Sequence, residues 1–366
     1  MSSQIHFPYM TWAQTQSMRS AYPLSQSGMP PPDPGWLGPL DPVDVLTWPN
    51  IEALPSLEAR LAELFRVDPA RVLVAPGASG AMHLVARRWF GTGAVVAHET
   101  PSYEPLHALP TVHGARAVAV PRAMERGWAW NPDHVDAALK GAKPGHAILS
   151  NPNNPTGAVM GKRPLRALAD ICADHGGVLV SCEAYMEAAP TGQREHAAVL
   201  APNAISIGTF TKAYGLGPIR VGWIVLGEGL VDERERLKDN AFLTWVDPPT
   251  ASLIAAHRAL DHLPQLLQPV RRVEAECKPL LDRWLRETPG VEAIVPPYGI
   301  FAFPRIVGVD DTKALGDYLA TQHDVDVVPG EYFGAPGHIR VGCGVPQATL
   351  EVGLQKLTAG LAAYRG

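Results

Sequence analysis

Cysteine is scarce in this chain, four residues in 366 (Cys172, Cys182, Cys277 and Cys343), and no two of them form a CxxC pair. That excludes a zinc ribbon and a dense disulfide framework, and the expected state is free thiol. The 13 histidines include no HExxH and no pair at metal-ligand spacing beside a carboxylate, so no metal site is expected. A dominant charge is missing too: 31 Lys+Arg stand against 36 Asp+Glu, and a net charge of -5 offers no general attraction to nucleic acid or anionic lipid. No apolar run approaches the roughly 20 residues that cross a bilayer, and residues 1–8 carry neither the basic stretch nor the apolar core of a secretory signal. No nucleic-acid or membrane partner is expected, and cytoplasm is the expected compartment. What remains is the composition of a soluble globular protein, 46% hydrophobic and 18% charged. The length suggests two domains, or one large domain with an appendage.

The pattern along the chain divides it in three. Residues 1–40 are rich in proline and glycine, most densely at 28–35, and are expected to form an arm over the body with neither a regular helix nor a central strand. Over 41–245, short β-branched or apolar runs at 71–75, 94–98, 115–120, 146–150, 177–182, 204–208 and 221–226 alternate with amphipathic stretches such as 56–65, 81–90 and 163–175. Alternation of this kind predicts an α/β fold, a mostly parallel sheet with helices on both sides. Over 246–366 the pattern changes to helical stretches at 250–262 and 264–287, short strands near 299–306, 325–328 and 338–341, and a last helix at 347–364, which predicts a smaller α+β domain.

Three segments carry chemistry. Val74-Ala75-Pro76-Gly77-Ala78-Ser79-Gly80 is a small-residue turn between strand and helix, where free amides and the helix dipole favour a phosphate. Ser150-Asn151-Pro152-Asn153-Asn154-Pro155-Thr156-Gly157 follows an apolar strand, at the edge where open α/β sheets bind ligands. In Thr209-Phe210-Thr211-Lys212, with Arg220 eight positions later, a lysine just past a buried strand has the parts to form a Schiff base beside a phosphate. Each has an ordinary alternative, respectively a tight β–α turn, a polar turn and a solvated lysine. Their occurrence together and in this order favours one shared site.

Carried by Asn154-Pro155-Thr156-Gly157 and by the Thr-x-Thr-Lys…Arg segment, the chain resembles the fold-type I pyridoxal 5′-phosphate (PLP) enzymes, specifically the class I/II aminotransferases. The resemblance runs from near Gly28 to the C-terminal helix. It implies the PLP-dependent transferase fold, with a large mostly parallel seven-stranded sheet domain, a small α+β domain and a site shared across a homodimer. It implies that Lys212 carries PLP as a Schiff base and moves the α-proton of an amino-acid substrate, and that Ala78, Ser79, Thr209 and Arg220 hold the phosphate. By the same resemblance Tyr103 stacks on the pyridine ring, while Asn154 and Tyr185 hydrogen-bond its phenolic oxygen. Arg340 would clamp the substrate carboxylate, and Gly28 falls where the arm closes over the substrate. The implied function is an aminotransferase exchanging a small L-amino acid with a 2-oxo acid.

Two positions depart from the family pattern. Cys182 stands where an aspartate would pair with the pyridine nitrogen, and a neutral thiol cannot stabilise a pyridinium as a carboxylate does. Glu183, its neighbour on a strand, is expected to face the other way. Trp48-Pro49 replaces a Tyr-Pro that reaches the partner subunit's phosphate in many relatives. Cys182 keeps open a second reading, a PLP lyase, decarboxylase or cyclising enzyme of specialised metabolism. A PLP-binding regulator or pseudoenzyme is the third; the short Pro-rich arm is no helix-turn-helix, and Lys212 and Arg340 are both retained.

Overall fold

The computed structural model describes residues 6–17, 19–46 and 52–365. Seven strands form the main sheet: β1 (Val72–Ala75), β2 (Val95–Thr100), β3 (Arg116–Pro121), β4 (Gly145–Ser150), β5 (Leu179–Cys182), β6 (Ala204–Thr209) and β7 (Gly222–Leu226). Their order is β1-β7-β6-β5-β4-β2-β3. Pairings among β2 to β6 are parallel, and β7 alone is reversed, antiparallel to both β6 and β1. The fold is therefore α/β with a mostly parallel sheet, as the alternating pattern predicts.

The strand sequences explain their places. VLVA, LVSC and GWIVL are buried at every position, as strands covered on both faces must be. β3, at the edge, buries only Val120 fully and leaves Arg116, Ala119 and Pro121 exposed. Successive residues serve opposite faces: Ile148 packs with Leu84 and Leu106, whereas Ala147 and Leu149 pack with Val135 and Leu165. The helices that supply these partners are α3 (Gly77–Trp89), α4 (Glu104–Val112), α5 (Pro132–Leu139) and α6 (Lys162–Asp174), while α2 (Ala53–Phe65) covers β1 and β7 through Leu57 and Leu61. In α6 the buried residues Leu165, Leu168, Ala169 and Cys172 recur at helical spacing.

Register brings the two halves of the site together. Gly222 pairs with Ala75 on one side and Thr209 on the other. It must be glycine, because a Cβ there would lie 2.7 Å from the Ala78 nitrogen and 2.8 Å from the Gly208 oxygen.

Beyond residue 245 come a helix at Thr250–Asp261, helical segments from Leu263 to Glu287, two small antiparallel sheets and the long helix Gln347–Arg365. The stretch 264–287 is less regular than its periodicity predicts, since Pro264, Pro269 and Pro279 lie within it and Val273–Cys277 is a π-helical turn. The first segment also differs from expectation. Residues 8–15 form a helix, α1 (Pro8–Thr15), because the dense proline and glycine lie later, at 28–35, and Pro8 occupies the first turn, where its missing N–H is harmless. After α1 the chain pairs Tyr22–Pro23 in parallel with Val325–Asp326, which ties it to the C-terminal part.

Among the described residues no helix is long and apolar enough to cross a membrane. All four cysteines are free and buried.

Candidate active site

A cavity of about 520 Å³ opens at the C-terminal ends of β4, β5 and β6, and α1 closes part of it. Of the residues proposed from sequence, Ala78, Ser79, Tyr103, Asn154, Cys182, Tyr185, Thr209, Lys212 and Arg220 all line it. Gly28 and Arg340 do not line it but touch residues that do: a Cβ on Gly28 would lie 3.5 Å from the Lys212 carbonyl, and Arg340 donates to Asn154. Trp48 lies outside the described residues.

Lys212 follows β6 in a loop held by the arm, whose Met29 amide donates to the Lys212 carbonyl at 2.9 Å. The Lys212 amine donates to Ser27 Oγ at 2.9 Å and stands 5.9 Å from the centre of the Tyr185 ring. Burial pulls its pKa below that of a free lysine; Arg340 and Arg220 push the same way, while Tyr9 opposes them. The shift favours the neutral amine, the form that acts as nucleophile and base.

At one end the site is built for an anion. α3 begins at Gly77 with no side-chain cap, so its first amides are free. Gly77 has φ +70, and a Cβ there would run into the Arg220 guanidinium, so the glycine is what allows arginine and helix terminus to adjoin. Arg220 itself has φ 51, a left-handed conformation that non-glycine residues rarely adopt. Thr209 Oγ1 lies 2.9 Å from Thr211 Oγ1, adding hydroxyls to the same wall.

At the other end is a buried arginine. Arg340, on the strand Ile339–Gly342, is fully buried; Nη1 donates to Asn154 Oδ1 at 2.8 Å, and Nη2 donates to the Ser25 carbonyl at 3.0 Å and to Tyr9 Oη at 3.3 Å. Phe301 and Phe333 flank the guanidinium at 5.4 and 5.2 Å. Between the two ends lie Tyr103, Tyr185 and Cys182. The Tyr185 hydroxyl is buried with no hydrogen-bond partner, and burial raises its pKa. Burial also pushes the Cys182 thiol up to about 12, so it is neutral throughout the physiological range. Glu183, just past the end of β5, faces away as expected and accepts from the Ala197 amide at 2.9 Å and Ser206 Oγ at 2.7 Å, with His196 Nδ1 at 2.6 Å.

Sequence reasoning missed α1 and Ser27. Tyr9, Met10, Ala13 and Gln14 line the cavity, and the tyrosine ring meets Tyr103 edge-on at 5.9 Å. The available signal was helical spacing, Tyr9 to Trp12 and Ala13. The buried Glu104 holds this helix in place, its carboxylate accepting from the amides of Tyr9 and Met10, both at 3.1 Å.

Residues 40–357 match the family model described as aminotransferase class I and II. Among curated relatives, the chain is 29% identical to capreomycidine synthase of Streptomyces vinaceus over 98% of this chain and 94% of that one. It is 30% identical to the arginine–pyruvate transaminase of Pseudomonas aeruginosa over 80% and 77%. Among solved structures it resembles a PLP-dependent aminotransferase from Streptococcus suis, with a TM-score of 0.87 and 26% identity over 98% of both chains. It also resembles the PLP-dependent cyclase OrfR, with a TM-score of 0.81 and 25% identity over 100% of this chain and 98% of the other.

Proposed function

The chain belongs to the class I and II aminotransferase family and is a PLP-dependent enzyme, and from that premise we propose that it transfers the amino group of a small L-amino acid to a 2-oxo acid, with PLP held on Lys212. One observation carries the reading: a buried lysine of lowered pKa, an uncapped helix terminus beside an arginine and a buried tyrosine hydroxyl without a partner all border one cavity. Those three features fit the aldehyde, the phosphate and the phenolic oxygen of PLP. When bound, the cofactor supplies an electron sink for the charge left when the α-proton departs.

The protein's own groups do the rest. Arg220, the Ala78 and Ser79 amides and Thr209 would hold the phosphate. Tyr103 would cover the ring, and Tyr185 and Asn154 would donate to its oxygen. Arg340 binds the substrate α-carboxylate, and Gly28 lets the arm lie close over Lys212. The lysine amine takes the α-proton and returns it, and the arm segment over Lys212 keeps water out. We assign residues 1–40 to an arm, 41–245 to the large PLP-binding domain and 246–366 to the small domain, working as a cytoplasmic homodimer with a shared site.

The test is borohydride reduction of the PLP-loaded protein followed by peptide mapping, then incubation with pools of amino acids while keto acid, ammonia and CO₂ are assayed. Arginine is the first donor to try, because a relative is named for it. The pyridoxyl group on Lys162 or Lys238, in place of Lys212, would refute the assignment. Sedimentation should give about twice the chain mass of 39.3 kDa; a stable monomer with full PLP occupancy would remove the shared site.

A second reading has specific support. With a neutral thiol at Cys182 the ring nitrogen lacks a carboxylate partner, and the likenesses to capreomycidine synthase and to a cyclase span nearly the whole chain. A cyclising enzyme would consume its amino acid without producing keto acid, and an eliminating one would release keto acid together with ammonia and with no 2-oxo acid acceptor, so the same assay separates both from transamination.

A further inference from the structure

The hydrogen bonds of Arg340 contain a conflict with the role just proposed for it. A guanidinium grips a carboxylate through one of two forks, Nη1 with Nη2 or Nε with Nη2, and both use Nη2. Both Nη2 hydrogens are already directed, one at the Ser25 carbonyl at 3.0 Å and one at the Tyr9 hydroxyl at 3.3 Å. Nε is buried with no hydrogen-bond partner. A bidentate carboxylate must therefore take one of the Nη2 partners' places. The Ser25 carbonyl belongs to backbone, and its bond is the shorter. The phenol is held by a longer bond and rides on a short helix.

Resting on the reading of Arg340 as the carboxylate clamp, we propose that Tyr9 is a specificity-determining residue of the carboxylate subsite: its phenol occupies Arg340 until a substrate carboxylate takes its place. Tyr9 is well suited to stand in for an anion. Its ring lies 5.9 Å from the guanidinium carbon, completing an aromatic enclosure with Phe301 and Phe333. Burial alone would raise its pKa, but the positive charges of Arg340 and Lys212, with the hydrogen bond from Arg340, bring it below the ordinary tyrosine value. The exchange is coupled to α1 as a whole, since the amides of Tyr9 and its neighbour Met10 are bound by Glu104. Moving the phenol off Arg340 loads that clasp, so carboxylate binding and docking of α1 oppose each other. The device selects for ligands that carry a full negative charge, because a neutral group gains too little on Arg340 to displace the phenol.

The experiment uses the PLP-loaded protein and propionate, which has a carboxylate but no amino group, with propionamide as the neutral control. Hydrogen exchange of the peptide spanning residues 8–15 reports on α1, and calorimetry reports on affinity. Propionate should speed exchange in that peptide and propionamide should not. Tyr9→Phe, which keeps the ring, and Glu104→Ala, which frees α1, should each bind propionate about threefold to tenfold more tightly, the loss of one competing hydrogen bond. Arg340→Ala should bind it weakly and show no change in exchange. Propionate that slows exchange in residues 8–15, or binds Tyr9→Phe no more tightly than the unaltered protein, would overturn the proposal. Failure of the underlying reading looks different: propionate would bind Arg340→Ala as well as it binds the unaltered protein.

Discussion

Lys212 and Ser27, 185 residues apart in the chain, meet at 2.9 Å, with the lysine amine donating to the serine hydroxyl. The arm is thus fastened to the reactive group itself. An acceptor on the ammonium favours the charged form, so Ser27→Ala should lower the Lys212 pKa further. Attachment of PLP to the apoprotein should then remain fast at lower pH than in the unaltered protein, while the weaker arm contact reduces turnover. Attachment rate against pH, followed by absorbance, measures it; an unshifted profile would separate Ser27 from the amine.

Cys182→Asp tests whether the thiol faces the pyridine nitrogen. A carboxylate at this fully buried position is unpaired in the apoprotein, at a penalty of several kcal/mol, and is paired when a protonated ring lies against it. The apoprotein Tm should fall, PLP should restore more stability than it gives the unaltered protein, and transamination should rise. Equal losses of Tm in the apo and loaded forms would place Cys182 elsewhere.

Gly77→Ala acts on the anion end. The positive φ disfavours any Cβ by about 1–2 kcal/mol, and the methyl would press on Arg220. PLP affinity should drop by about tenfold or more, with the far-UV spectrum unchanged. Equilibrium dialysis gives the affinity directly.

His196 offers a prediction about pH and stability. Burial lowers its pKa, but the charge and hydrogen bond of Glu183 outweigh burial, and the net shift is upward. A group with a raised folded pKa contributes stability that is full below its unfolded value, near 6.5, and fades as pH rises through the folded value. His196→Gln should therefore be destabilised most at pH 6 and progressively less toward pH 9. Urea midpoints across that range measure the gap; a constant gap would mean that folding leaves the His196 pKa unchanged.

The sheet was legible because buried parallel strands announce themselves as unbroken apolar runs, and the seven expected runs coincide with β1 to β7 to within a residue or two. The reversal of β7 was not, because an apolar run covered on both faces carries no mark of direction. Site residues next to strand ends were readable for the same reason: Lys212 and Cys182 are fixed by β6 and β5. α1 and Ser27 belong to the arm, whose position depends on contacts with residues as distant as Arg340 and Asp326. Local composition holds no trace of such contacts, and the proline count of the whole arm obscured one short helix at its start.

The placement of β7 between β1 and β6 also sets an order of events during synthesis. The anion end joins α3, made early, to Arg220, made about 140 residues later, and the pairing of Gly222 with Ala75 holds them together. A nascent chain that has released β1 through β6 has most of its sheet but still lacks Arg220 at the anion end. Cofactor capture therefore waits for β7 to slot in beside the first strand, and until then β1 and β6 have unsatisfied edges facing a gap. A ribosome stalled before residue 226 should display a chain that binds no PLP, and one stalled well beyond it a chain whose cofactor cradle is closed.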